Sequence, residues 1–311
     1  MTVASAPRIL RTVQQVRQWR LDCLLNRESV GFIPTMGALH AGHCSLIAES
    51  LKQNDHTMVS IFVNPSQFAP HEDLDAYPRT VDSDMDQLTK AFTKKQVSAV
   101  FIPKVSEMYP SGIELEVSKQ RGAFVTVHGC SEQLEGGSRP QFFRGVATVV
   151  SKLLNVVTPE KVYFGQKDAQ QCVVIRNLVK DMLINTEVVV LPTLRESSGL
   201  AMSSRNAYLS EEAKSESSVI YRALKAGESF YDEHSKDGEA VDAYLISNEI
   251  RNVLSTAPSG FKLEYLSISH PETLDDLTTV KPGIGALIST AVRVPREDGQ
   301  ETRLIDNIVL K

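Results

Sequence analysis

These 311 residues contain no long apolar run. With 42% hydrophobic and 23% charged residues the chain lacks both the stretch of ~20 apolar residues that spans a bilayer and the polar excess of a disordered segment. A basic surplus is also missing. Thirty-three Lys and Arg against 38 Asp and Glu leave a formal net charge of −5, which excludes the concentrated positive field that nonspecific nucleic-acid or anionic-lipid binding requires. A compact local anion site stays open. Cysteine is sparse. Cys23, Cys44, Cys130 and Cys172 have no CxxC spacing and no histidine beside them in the zinc patterns, so they read as buried thiols in a reducing compartment. Acid is absent before Asp22 while arginines are present, which resembles a mitochondrial presequence. No repeat or low-complexity tract occurs, and the length suits one large α/β domain or two smaller ones.

Thr12 with Gln15 has the form of a capping box, and Val13, Val16 and Trp19 recur at helical spacing, which predicts a helix to about Leu25. Five short runs rich in β-branched and aromatic residues predict strands: Val30–Ile33, His56–Val63, Ala99–Ile102, Lys161–Phe164 and Glu187–Leu191. Apolar stripes at three-to-four spacing lie between them, through Cys44/Ile47/Leu51, Met85/Leu88/Phe92, residues 146–157 and Val174/Leu178. Such alternation predicts an α/β fold, a doubly wound parallel sheet covered on both faces. The rhythm ends near Leu191. A polar segment, Arg195 to Asn206, precedes helical stretches over about 210–232 and 239–256. Three strands, Phe261–Ser269, Gly285–Val294 and Arg303–Leu310, should follow as a short antiparallel sheet. The predicted domains are therefore 1–193, a Rossmann-like sheet domain, and 194–311, a smaller α+β domain.

The segment Phe32 to Ile47 passes from a buried strand through a glycine-containing turn into an amphipathic helix. Helix N-terminal N–H groups lack partners and carry partial positive charge, so such turns bind anions. Gly37 and Gly42 have P-loop spacing, but His43 and Cys44 stand where that loop needs Lys and Ser/Thr, which excludes it. The pair His40-x-x-His43 remains. Two imidazoles one turn apart can donate to phosphate oxygens, although by itself such a pair is more often structural. Zinc is disfavoured because the His-Glu-x-x-His spacing and a third ligand are missing.

The run Pro34-Thr-Met-Gly-Ala-Leu-His-Ala-Gly-His43 closely resembles the signature of the pantothenate synthetases, ATP-dependent ligases of the HIGH-type nucleotidyltransferase superfamily. Similar motifs follow in order: Phe62-Val-Asn-Pro-Ser-Gln-Phe68, Tyr77-Pro-Arg-Thr80, Phe164-Gly-Gln-Lys-Asp168 with Gln171, Gly199-Leu-Ala-Met-Ser-Ser-Arg-Asn206 and Thr302-Arg-Leu-Ile-Asp-Asn-Ile308. The resemblance runs from about Pro7 to the end. It implies a two-step reaction in which the pantoate carboxylate attacks the α-phosphate of ATP, and β-alanine then displaces AMP. Negative charge gathers on the departing pyrophosphate, so cations and oriented N–H groups are what the first step needs.

Carried over to these positions, the resemblance makes Met36, Gly37, His40, Gly42 and His43 a wrap for the adenylate and phosphates. His43 would be the proton donor and His40 a second phosphate contact. Lys167 would be the phosphate counter-charge. Gly165 would admit the nucleotide close to the backbone, beside Gln166, and Asp168 would accept from ribose hydroxyls. Gln67 and Gln171 would read pantoate, with Tyr77 and Arg139 near the substrates. Met202, Ser203, Ser204 and Arg205 would form a mobile clamp on the triphosphate, and Leu194 an apolar wall for adenine. Mg²⁺ would accompany ATP, with Asp84 as its protein contact. A homodimer in the cytoplasm is implied as well, since the arginine-bearing N-terminal segment becomes the first helix of the fold. Segments around residues 40, 167 and 204 should meet about one nucleotide.

Three departures stand out. Arg139-Pro-Gln-Phe-Phe143 replaces the commoner Arg-Pro-Gly-His-Phe, Leu194 replaces valine, and Asp82-Ser-Asp84 carries fewer acids than some relatives. The first looks more like plant and fungal members. Two other readings compete. A cytidylyl- or adenylyltransferase is opposed by Gln67, Gln171 and the 199–206 motif. A catalytically silent nucleotide-binding protein is opposed by the joint presence of His40, His43, Lys167 and Arg205.

Overall fold

The computed structural model describes residues 6–69, 74–75 and 77–311. The chain divides into two compact units, Met1–Gly165 with Val174–Leu191, and Gln166–Val173 with Pro192–Lys311. The sequence pattern places one boundary at 193/194; the units divide two residues earlier, and the segment Gln166–Val173 groups with the second.

The first unit begins with β1 (Arg8–Leu10) and α1 (Val13–Leu25), then β2 (Val30–Thr35), α2 (Ala41–Gln53) and β3 (His56–Ile61). It continues through α3 (Val81–Ala91), β4 (Ala99–Phe101), α4 (Val105–Met108), α5 (Glu135–Ser138), α6 (Phe142–Val157), β5 (Lys161–Gly165), α7 (Ala169–Asp181) and β6 (Glu187–Leu191), with the first turn of α7 grouping with the second unit. Six strands form one parallel sheet in the order β1-β4-β3-β2-β5-β6. The Rossmann-like architecture follows from its residues. β2 and β3 are central, so both faces of each are covered and nearly every residue in them is buried. Alternation sends Ile33, Val59, Val100 and Tyr163 into a core with Ile47 and Leu51 of α2 and Leu88 of α3. Phe32, Met58 and Val162 point to the opposite face, and burying each such side chain is worth roughly 1.5–3 kcal/mol.

α1 forms as its sequence predicts. Thr12 Oγ1 accepts the Gln15 N–H and Gln15 Oε1 accepts the Thr12 N–H, closing the capping box. Val16 and Trp19 are buried, and Arg20, 4% exposed, donates to Glu160 Oε1 and the Thr158 carbonyl. From residue 6 onward the stretch that resembles a presequence thus supplies β1 and α1, with Val16, Trp19 and Arg20 in the interior. β1 is absent from the sequence reading because three edge residues carry no measurable period.

The second unit contains α8 (Glu211–Glu216), α9 (Ser218–His234), β7 (Val241–Asp242), α10 (Ala243–Leu254), β8 (Lys262–Ser269), β9 (Thr279–Val280), β10 (Ala286–Pro295) and β11 (Glu301–Leu310). β11, β10 and β8 make the expected antiparallel sheet, and β7 pairs with β9. α9 and α10 cover it through Leu224, Tyr231, Ile246 and Ile250 against Ile288 and Ile308. The single stretch expected over 210–232 is two helices. The break falls at Ser217, whose fully buried hydroxyl donates to the Ala213 carbonyl and bends the chain.

Candidate active site

In the first unit the chemistry gathers where β2 ends and α2 begins, at the carboxyl ends of parallel strands, where α/β sheets bind ligands. Thr35 Oγ1 donates to the Ser60 carbonyl and accepts the Gly37 N–H, turning the chain sharply. Gly37 has φ +88° and Ala38 φ 50°, both left-handed; Gly37 adopts this freely and Ala38 only at a cost of roughly 1–2 kcal/mol. Something must hold that strain. Asp84, 2% exposed on α3, accepts the Ala38 N–H at Oδ2 (3.1 Å) and the Leu39 N–H at Oδ1 (2.8 Å).

Asp84 is therefore a clamp on this turn. Buried and with both oxygens occupied by N–H donors, it does not fit the Mg²⁺ contact expected of it, since Mg²⁺ demands open octahedral positions and retains several waters.

His40 occupies the N-cap of α2. Its Nδ1 accepts the Gly42 N–H at 3.1 Å, and Nδ1 of His43 accepts the His40 N–H at 3.3 Å. The rings lie 4.1 Å apart. This capping box built from imidazoles has a chemical consequence: in the neutral rings Nδ1 is an acceptor, so the proton sits on Nε2. Both histidines are partly exposed, as is Met36. Next to them, burial pushes the Cys44 thiol up despite a hydrogen bond from Gln87, which leaves it a poor nucleophile.

A second cluster in the same unit surrounds Gln67, which closes a 3₁₀ turn, Pro65–Gln67. Asn64 Nδ2 donates to Gln67 Oε1 (2.8 Å), and this fixes the amide so that its Nε2 faces the other way. Asn64 is itself held, because Tyr109 and Ser66 donate their hydroxyls to its Oδ1. Burial pushes the Tyr109 phenol up. Gly145 permits the arrangement: a Cβ there would lie 2.2 Å from the Ser66 carbonyl oxygen. Arg139 reaches the Gln67 carbonyl at 3.2 Å, and Tyr77 packs edge-on against Phe68. Gln67, Tyr77 and Arg139 are thus gathered in one neighbourhood. Phe142, in the place of the commoner histidine, lies 4.1 Å beneath the Arg139 guanidinium as a cation–π platform. Gly165, at the end of β5, has open space where a Cβ would point.

In the second unit Lys167, Ser203 and Arg205 line one cavity, together with Ala201, Asn206, Arg303 and Asp306. Lys167 pairs with Asp168 at 3.4 Å. Ser203 Oγ accepts the Arg205 N–H, which starts the short 3₁₀ turn Ser204–Tyr208. Met202, Ser204, Leu194, Gln166 and Asp168 are not part of that lining; Ser204 is exposed, and Leu194 is 38% exposed. Gln171 is half-buried on the first turn of α7. Lys167, Ser203 and Arg205 share that lining, and region 40 belongs to the first unit.

The sequence reading overlooked the groups that hold these side chains: Asn64 and Tyr109 around Gln67, and Arg195, Asp306 and Asn307 around Lys167. Asn64 stands in a motif already noted, and an Asn-Pro step is a turn signal that could have found it. It also missed that Cys23, Glu28 and His56 approach within 4.8 Å of one another. Glu28 and His56 pair at 2.9 Å, and burial pushes the Cys23 thiol up to about 11, so the sulfur is held as a thiol rather than as the thiolate that a metal binds.

Comparison with known proteins covers the whole length. The family described as Pantoate-beta-alanine ligase matches residues 8–309. The chain is 45% identical to the pantoate–β-alanine ligase of Saccharomyces cerevisiae, over 97% of this chain and 100% of that protein. It is 44% identical to the pantothenate synthetase of Herpetosiphon aurantiacus, over 97% and 99%. Among solved structures, the pantothenate synthetase from Thermus thermophilus matches with a TM-score of 0.81 at 40% identity, covering 97% of this chain and 98% of that one. The pantoate–β-alanine ligase from Francisella tularensis, complexed with β-γ ATP and β-alanine, matches at 0.72 and 32% identity, covering 98% of each.

Proposed function

Since the chain belongs to the pantoate–β-alanine ligase family and is a ligase enzyme, we propose that it joins pantoate to β-alanine through a pantoyl-adenylate. A pantoate carboxylate oxygen attacks the α-phosphorus of ATP and pyrophosphate leaves. The β-alanine nitrogen then attacks the acyl carbon, the bond to the anhydride oxygen breaks, and AMP departs with that oxygen.

One observation carries this reading: both imidazoles at the start of α2 turn Nδ1 to the backbone, which sets the neutral tautomer and makes Nε2–H the donor of each ring. Two aimed N–H groups beside a helix N-terminus suit a phosphoryl group that gains charge as the bond to pyrophosphate breaks. His43 donates to the leaving oxygens and His40 supports it. Lys167, Ser203 and Arg205 supply charge and hydroxyls to the phosphates, and Gln67, with Gln171, reads pantoate by donating to its carboxylate and accepting from its hydroxyls. Met36, Gly37, Gly42, Gly165, Gln166, Asp168, Leu194, Met202 and Ser204 complete the nucleotide contacts. Mg²⁺ accompanying ATP would supply positive charge to the departing pyrophosphate, while Asp84 holds the Ala38 and Leu39 N–H groups.

Incubation with ATP, Mg²⁺ and pantoate alone tests the central step. Labelled pyrophosphate should exchange into ATP without β-alanine; exchange that requires β-alanine, or that prefers CTP, refutes the adenylate. The same reading includes a homodimer in the cytoplasm. Sedimentation equilibrium at twice 34.3 kDa, and a purified N-terminus that precedes Trp19, check those two points. No helix among the described residues is long and apolar enough to cross a membrane.

A further inference from the structure

Lys167 sits in a single 3₁₀ turn, Gln166–Asp168, and its partner Asp168, 3.4 Å away, is half exposed. A lone ion pair at this distance, with its carboxylate open to water, does not by itself hold the turn. The turn is held from the last strand. Asn307, 4% exposed on β11, donates through Nδ2 to the carbonyls of Gln166 and Lys167, both at 2.9 Å, and its Oδ1 accepts from Gln166 Nε2 at 3.1 Å. All of its amide's polar atoms are spent on this turn.

The preceding residue does the same for the other loop. Asp306, 5% exposed, receives Arg195 in a bidentate pair at 2.6 and 2.9 Å and also accepts the Asn307 N–H at 2.8 Å. Arg195 continues to the Gly199 carbonyl and lies 3.7 Å from the Tyr221 ring, which fixes the segment leading to Ser203 and Arg205. Successive residues of a strand point to opposite sides, so neighbouring positions on β11 can each hold a different loop.

We propose that the Asp306-Asn307 dipeptide is the positioning device of the phosphate-side cavity, registering Lys167 against Ser203 and Arg205. Asn307 acts through Lys167 and touches no substrate. The inference rests on the reading that Lys167 meets ATP. Its physical basis is that electrostatic catalysis tolerates little displacement, and a shift of about 1 Å can cost 10²-fold.

The test is a cycle of Asn307→Ala, Lys167→Ala and the double variant, read by pantoate-dependent pyrophosphate exchange, by KM for each substrate and by Tm. Asn307→Ala should lower kcat/KM for ATP roughly 10- to 100-fold while KM for β-alanine stays within about twofold. In the Lys167→Ala background the same change should cost less than about threefold, because the positioned group is already gone. Asn307→Ser, which keeps one donor, should recover part of the loss, and serves in place of the alanine variant if that one does not fold. Equal loss toward every substrate in step with Tm, or an undiminished effect in the double variant, overturns the proposal. If Lys167→Ala leaves exchange unchanged, the ATP role of Lys167 fails instead; if Lys167→Ala is crippled and Asn307→Ala is not, only the positioning role fails.

Discussion

The turn at 35–43 and the paired loops at 166–168 and 195–205 both present polar groups suited to phosphate, yet they are held in opposite ways. In the first, most of the hardware lies within nine residues: Thr35 on Gly37, His40 on Gly42, His43 on His40. Asp84 and the Ser60 carbonyl reach in from afar. In the second, Arg195 is held by a residue 111 positions away, and Gln166 by one 141 away. A locally closed turn forms whenever its strand and helix form. The other loops have no defined place until the last strand of the chain is laid down, and they therefore depend on the whole second unit.

The largest break in this comparison comes from His43→Ala. It should lower pantoate-dependent exchange by roughly 10²- to 10⁴-fold with Tm nearly unchanged, since it removes one proton-transfer or electrostatic group from a turn still held by Thr35 and Asp84. An activity loss below threefold would make His43 purely structural. Arg195→Met should do the reverse and strike stability first. It leaves the buried Asp306 carboxylate without its cation, at about 3–5 kcal/mol, and denaturant unfolding of the variant measures the loss.

Alkaline titration sharpens the contrast inside the first unit, where Tyr109 is a long-range support of Gln67. Its folded phenol is raised above the ordinary value of 10.0, so the native state keeps a proton that the unfolded chain releases. Its contribution is complete below about pH 10 and is lost as pH rises through the folded value. Tyr109→Phe should flatten that alkaline fall in Tm relative to the parent. The smallest effect belongs to His40→Asn. Asparagine is a good N-cap, so stability should change by less than about 1 kcal/mol, while exchange declines for want of the Nε2 donor. A large drop in Tm with exchange preserved would show that His40 serves the helix alone.

What could be read in advance follows the same division. The capping box at Thr12, the apolar stripes of α2, α3 and α6 and the three antiparallel strands of the C-terminal sheet rest on signals that span a few residues, and they match the structure. Gln67 and Lys167 were found through motif resemblance, because a lone glutamine or a Lys-Asp step carries no period. Asp84 was expected as a metal contact; its place in the sequence does not reveal that two backbone N–H groups would engage its two oxygens. Arg195, Asp306 and Asn307 stayed invisible as supports for want of any local signal.

The amino-acid order by itself determined the class of fold, the strand-to-helix turn with its paired imidazoles and the rejection of a P-loop, because each depends on residues near one another in the chain. Tertiary structure alone decided which groups hold that chemistry in place: Asp84 under the strained turn, Asn64 behind Gln67, and Asn307 beneath Lys167. Burial makes these contacts strong by removing the water that would otherwise satisfy the same polar atoms, and burial is a property of the assembled fold.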